Sequence, residues 1–163
     1  MSVAFTKEES AETASETQLP DRPIPTHPNW VTENGLRLLR EQLEHAKVAY
    51  EAAQQVEDVN ERRRLSAIPL RDMRYFTERV RTAQLTPNPS SADKVAFGTT
   101  VTFQRVDGRI QKFRIVGEDE ADPKTGSISF ASPIAKSLMG KSVGDVTGSG
   151  DNEVEVLEIL ATG

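Results

Sequence analysis

A chain of 163 residues that is 36% hydrophobic and 28% charged has room for one compact domain plus an appendage, and is too polar to be a single tightly packed globule. Its formal net charge of -5 excludes a general nucleic-acid coat, which needs a basic surplus, while local basic patches stay open. The absence of cysteine excludes disulfides, thiolate zinc sites and cysteine nucleophiles.

The N-terminus, "MSVAFTKEESAETASETQ", is acidic, with neither the apolar stretch of a secretory signal nor the arginines of a transit peptide. No run approaches the ~18 apolar residues of a membrane span, so a cytoplasmic protein without membrane contact is expected. Residues 1–28, which end in the proline-spaced "LPDRPIPTHP", bury too little apolar surface to offset their ordering entropy and read as a disordered tail.

Order is predicted to begin at "NWVTENGLRLLREQLEHAKVAYEAAQQ", where Thr32 can cap a helix and Glu33 suits its first turn. Leu36, Leu39, Leu43, Ala46, Tyr50 and Ala53 recur at steps of three and four, which is a heptad seam. In "PLRDMRYFTERVRTAQL", Met73, Phe76, Val80 and Ala83 form a second seam. Neither stripe can stay exposed, and mutual burial gives an antiparallel coiled-coil hairpin over residues 29–85. Pairing Leu39 with Ala83, Leu43 with Val80, Ala46 with Phe76 and Tyr50 with Met73 centres it near Glu61, with the tip near 58–64. The first arm, Leu36 to Asp58, would be about 33 Å long at 1.5 Å per residue. Pro69 lacks a backbone donor and biases Ile68 away from helix, so the second helix is expected to start or kink there.

"TPNPSSADK", residues 86–94, has linker composition, and beyond it the period changes to two. "TTVTFQRVDGRIQKFRIVG" alternates around an Asp-Gly dipeptide, the signal of a two-residue hairpin turn. "SISFAS" and "EVEVLEIL" are further strands, and "SPIAKSLMG" is a short helix with proline in its first turn and Gly140 as its stop. Residues 95–163 are therefore a small α+β domain.

Asp58 and Glu61 stand at i and i+3 and would share one helix face, about 5–6 Å apart at Cβ. Two such carboxylates could hold part of a magnesium site whose other ligands come from a partner; on composition alone a solvated, salt-bridged turn is the favoured explanation. Arg62, Arg63, Arg64, Arg71 and Arg74 offer donor forks suited to phosphate, or simply line a solvated helix face. The acidic "GEDEAD" lacks the spacing of a calcium loop and reads as a solvated loop. His27 and His45 have no partner at catalytic or metal-ligating spacing, and no phosphate loop, nucleophile elbow or dinucleotide fingerprint is present.

"VAFGTTVTF", "FRIVGEDEAD", "ISFASPIAKSLMGKSVGDV" and "EVEVLEI" follow one another as in the C-terminal domain of the bacterial Gre transcript-cleavage factors, which residues 95–160 closely resemble. "NGLRLLREQLEHAK" and "VRTAQL" resemble more loosely the start and end of that family's coiled coil. The resemblance implies an N-terminal antiparallel coiled coil followed by an FKBP-like antiparallel sheet domain. It also implies a partner, bacterial RNA polymerase, bound as a monomer at the secondary channel, with nascent RNA and DNA met only inside the elongation complex. On that basis Asp58 and Glu61 would share a magnesium ion with the polymerase active site. Ser132 and Pro133 would belong to the docking loop, and the five arginines would contact nucleic acid or the channel. No cofactor of the chain's own and no enzymatic activity of its own are implied; the chain would promote cleavage of backtracked RNA by the polymerase. The arms look shorter than in the family by roughly two turns each, or ~10 Å. "RRRLSAIP" stands where another acidic residue and an aromatic one are usual, and Ala131 replaces a commonly polar residue. The alternative is a non-cleaving secondary-channel regulator that competes with other factors. A third reading, prolyl isomerase, would need an aromatic-lined pocket that Phe97, Phe103, Phe113 and Phe130 hardly supply.

Overall fold

A computed structural model of the chain describes residues 19–161, so the tail expected at the start lies outside the described residues as far as residue 18. Residues 19–26 and 39–82 form one compact unit, and 27–38 and 83–161 another. No helix among the described residues is long and apolar enough to cross a membrane.

The first unit is a helical hairpin. Its helices are α1 (Glu33–Gln54), which begins among residues of the second unit, and α2 (Val59–Thr82). The heptad pattern predicts the sheltered face of α1: Leu39, Ala46 and Ala53 are buried and Leu43 and Tyr50 half-buried, while Glu44, Lys47 and Glu51 are exposed. On α2, Phe76 is buried and Met73 and Val80 are half-buried. Gln54 Nε2 donates to Ser66 Oγ at 2.8 Å, a cross-arm bond centred on Asn60.

Two expectations are corrected here. Of the two possibilities at Pro69, a helix start is excluded, because α2 begins at Val59 and contains that proline. An interior proline costs about 3 kcal/mol, and burial of the Tyr75 and Phe76 rings further along the helix offsets it. Nor are residues 19–28 tail-like. The Arg22 guanidinium lies 3.9 Å from the centre of the Tyr75 ring and pairs with Asp72 at 3.3 Å, and Asp21 meets Arg74 at 3.3 Å. Cation–π and ionic contacts order this segment, and an argument from apolar area alone overlooks them. They also explain why Tyr75, outside the seam, is buried.

In the second unit, β1 (Trp30–Val31) pairs in parallel with β2 (Gln84–Leu85). The main sheet contains β3 (Thr100–Arg105), β4 (Ile110–Val116), β5 (Ser127–Ser129), β6 (Val146–Thr147) and β7 (Val154–Leu160), in the order β5-β4-β3-β7-β6. Every pairing in it is antiparallel except β4 with β5, so the sheet is mixed at one edge. On β7, Val154, Val156 and Ile159 are buried: the alternation slips by one at Leu157, where the β3 register shifts between Thr102 and Phe103. That bulge keeps apolar residues on the core face at both ends of the strand. The core gathers Val101, Phe103, Ile115, Leu138, Val154 and Val156, and Trp30 packs against it.

The Asp-Gly turn is longer than the expected two residues. Gly108 N donates to the Arg105 carbonyl and Arg105 N to the Arg109 carbonyl, with Gly108 at φ +89°, which is a three-residue loop closed by a glycine bulge. The short helix α3 (Pro133–Leu138) is capped by Ser132, whose Oγ accepts from Ala135 N, and has Pro133 in its first turn.

Within "GEDEAD", Glu120 has a structural task. Glu120 accepts from Thr32 Oγ1 and, at 2.9 Å, from Asn34 Nδ2, while Thr32 Oγ1 accepts from Gly35 N at 2.9 Å. Thr32 is thus the cap of α1, as its position predicts, and Glu120 holds that cap to the loop after β4. Thr32→Ala is expected to lower stability by about 1 to 2 kcal/mol, seen as a lower urea midpoint with unchanged slope.

Candidate functional site

α1 stops at Gln54 and residues 55–58 turn the chain, so the tip expected over 58–64 is this turn followed by the first residues of α2. Asp58 caps α2: its Oδ1 accepts from Asn60 N at 3.2 Å and its carbonyl from Arg62 N at 2.8 Å. Glu61, three residues on, occupies the second position of a capping box, but its side chain turns to Arg64. Arg64 Nε donates to Oε2 at 3.0 Å and Nη2 donates to Oε1. The hydrogen bonds from Arg64 hold the Glu61 carboxyl below its ordinary pKa, so it is ionised in neutral solution.

The arginines divide by task. Arg62 folds back onto the turn, Nε donating to the Val56 carbonyl at 2.8 Å and Nη2 to the Glu57 carbonyl at 3.1 Å. Arg64 is occupied by Glu61, Arg74 by Asp21 at 3.3 Å, and Arg71 lies 3.6 Å from Asp72. Arg63 has no carboxylate partner among the described residues, and its Nη1, like Arg71 Nε, is buried without a hydrogen-bond partner among them. These are mostly internal pairs rather than a continuous free basic stripe.

The tip suits a metal only in part. Both carboxylates lie at the N-terminal end of α2, where the helix dipole favours anions and opposes a cation. Among the described residues no group of three or more His, Asp or Glu could hold a metal ion. Any cation held by Asp58 and Glu61 would need its remaining ligands from another molecule. At the other predicted site, Ser132 Oγ donates to the Ser129 carbonyl at 2.7 Å while capping α3, and Pro133 is exposed.

A groove below the tip escaped the sequence reading. Tyr50 and Gln54 of α1, several residues of α2 and Leu19 line it, enclosing about 450 Å³. The signal for it was the spacing of Arg63, Ala67, Arg71 and Arg74, which places three arginines along one helix face.

A family model described as "Transcription elongation factor, GreA/GreB, C-term" matches residues 89–161. Transcription elongation factor GreA of Pseudomonas aeruginosa is 34% identical over 151 residues, covering 79% of this chain and 95% of that protein. Those aligned positions outnumber the residues this chain contributes, so part of the relative faces gaps here. GreA of Helicobacter pylori is 42% identical over 90 residues, spanning 52% of this chain and 55% of that protein. The solved GreA factor homolog 1 (Gfh1) of Thermus thermophilus is 22% identical, with 82% of this chain and 99% of that one covered and a TM-score of 0.38. Because the likeness to the Pseudomonas protein takes in both the hairpin and the sheet domain, this chain belongs to the GreA/GreB family of transcription elongation factors.

Proposed function

We propose that this chain docks on bacterial RNA polymerase through residues 95–160, with Pro133 on the contact surface, and places its hairpin tip in the secondary channel. There Asp58 and Glu61 complete a magnesium site shared with the polymerase active centre, and backtracked RNA is cleaved. The hydrolysis is the polymerase's own, and the chain contributes ligands and no catalytic group. Magnesium, when bound, activates the attacking water and steadies the leaving oxygen. What carries this reading is the position of two carboxylates beside the turn that ends the hairpin, Asp58 exposed and Glu61 ionised. Arg64 and Arg74, the exposed members of the arginine set, would be the ones to meet nucleic acid or the channel wall.

Glu61 must leave Arg64 to reach a cation. Such a fork at an exposed helix surface is weakly held against water, so a cation with further ligands can displace it. Arg64→Ala is therefore expected to lower the magnesium concentration needed for half-maximal cleavage by about threefold. An unchanged requirement would show that the fork does not restrain Glu61.

The second reading, a non-cleaving regulator that occupies the channel and competes with other factors, also has support. Asp58 is used as a cap, Glu61 is paired, and the relative's extra aligned positions agree with shorter arms here. Transcript shortening in stalled, backtracked elongation complexes at limiting magnesium separates the two: cleavage supports the first, and displacement of a competing factor without cleavage supports the second. An isomerase reading fares worse, since Trp30 stacks on Phe130 at 4.8 Å and meets Phe97 edge-on at 6.0 Å, burying both rings that would line a proline pocket.

A further inference from the structure

The first described residues lie on the hairpin itself. Leu19 is half-buried and lines the groove below the tip. The residues after it hold to α2 by charge and ring contacts: Asp21 meets Arg74 at 3.3 Å, and Arg22 pairs with Asp72 and covers the Tyr75 ring. Arg74 is the end of the groove's α2 lining farthest from the tip, and Val59 is the end nearest to it. Four arginines, Arg62, Arg63, Arg71 and Arg74, line the groove, and no described carboxylate does. Arg62 is bonded to backbone carbonyls, which leave its charge uncompensated. Such an excess of one sign favours an anionic neighbour. The sequence supplies one next to Leu19: residues 8–18, outside the described residues, carry Glu8, Glu9, Glu12 and Glu16 and no basic residue.

We propose that residues 8–18 of the chain dock in this groove, carrying the contacts of residues 19–22 on toward the tip, with Glu16 and Glu12 against its arginines. The reach fits. Glu16 precedes Asp21 by five residues, at most about 17 Å of extended chain. Arg63 precedes Arg74 by eleven, about 17 Å of helix at 1.5 Å per residue. The mode is the one residues 21 and 22 already use, carboxylate against guanidinium along α2. Tethering at Leu19 holds the carboxylates at an effective concentration of about millimolar, so exposed ion pairs too weak to retain a free peptide suffice. The docked segment and any external anion drawn to the same arginines exclude each other, so the hairpin carries its own competitor. The inference belongs to the hairpin alone and does not depend on a magnesium ion at the tip.

Because the chain has no cysteine, Thr13→Cys gives a single site for a nitroxide label on the full-length protein. In a nitrogen-15-labelled sample the nitroxide is expected to remove most of the amide signal of residues 62–71, relative to the same label after reduction, and to spare residues 39–46 of α1. Glu12→Lys with Glu16→Lys should restore the lost signal, as should about 1 M sodium chloride, where charges are screened beyond about 3 Å. Both substitutions lie outside the hairpin, so they test the contact without disturbing its fold. Broadening that survives the charge reversal would overturn the proposal, since a tethered but undocked segment broadens its surroundings whatever its charge. Broadening in a mixture of nitroxide-bearing and separately nitrogen-15-labelled chains would also overturn it, by giving the groove to a second copy. So would full signal at residues 62–71 in every sample.

Discussion

Asp58→Asn combined with Glu61→Gln is expected to reduce transcript cleavage in backtracked complexes by about 100-fold or more at limiting magnesium, with binding to polymerase unchanged. The substitution is informative because it keeps the fold. Asparagine caps a helix about as well as aspartate, so the bond from Asn60 N to the side chain at 58 survives. Glutamine at 61 can still accept a hydrogen bond from Arg64. Only the negative charge that would draw a divalent cation is removed. High magnesium should restore part of the activity, because the missing ligands lower occupancy of the ion rather than the chemistry once it is bound. If wild type and variant cleave equally, the tip has no role in metal binding. If neither cleaves while both bind, the chain is a regulator at the channel.

Gly117→Ala should have a large structural effect for a single methyl group. Gly117 follows β4, and a Cβ built there would stand 2.5 Å from the Trp30 carbonyl oxygen and 3.6 Å from Val31 Cα. Both are backbone atoms of β1, so relief requires moving a strand rather than rotating a side chain. Overpacking of this kind costs about 1–3 kcal/mol. Trp30 is the only tryptophan, so its emission reports the displacement directly. A red shift and stronger acrylamide quenching should accompany the lower melting temperature. Unchanged emission and stability would mean that β1 yields at no cost.

Much of the hairpin was legible because a heptad seam states which face is buried, and burial of Leu39, Ala46 and Phe76 follows that statement. The sheet strands were legible for the corresponding reason at period two. Spacing does not state which partner a charged group takes. Asp58 and Glu61 at i and i+3 read identically as half a metal site and as the two ends of a capping box, and the second pattern is what the local geometry uses in part. Ser132 is another such case, a residue carried over by resemblance whose hydroxyl serves its own helix. Residues 19–28 were misread for a different reason. Their order comes from Arg22 over Tyr75 and from His27, which pairs with Glu118 and meets Phe130 edge-on, contacts between residues far apart in sequence.

The parallel pairing of Trp30 with Gln84 and of Val31 with Leu85 bears on how the chain folds. A parallel pair needs a long crossover, and closing a flexible loop across residues 32–83 would carry an entropy penalty that grows with its length. Here the crossover is two antiparallel helices, built from neighbouring residues and able to form on the microsecond scale before the distant strands meet. The search for β1–β2 contact is then a short one, nearly independent of how long the arms are. Turns added to both arms in equal number would extend the reach of the tip without slowing assembly at its root. An insertion in one arm alone would carry Trp30 away from Gln84 and break that pairing. Reach in this protein is thus a property that can change in matched steps while the folding route stays the same.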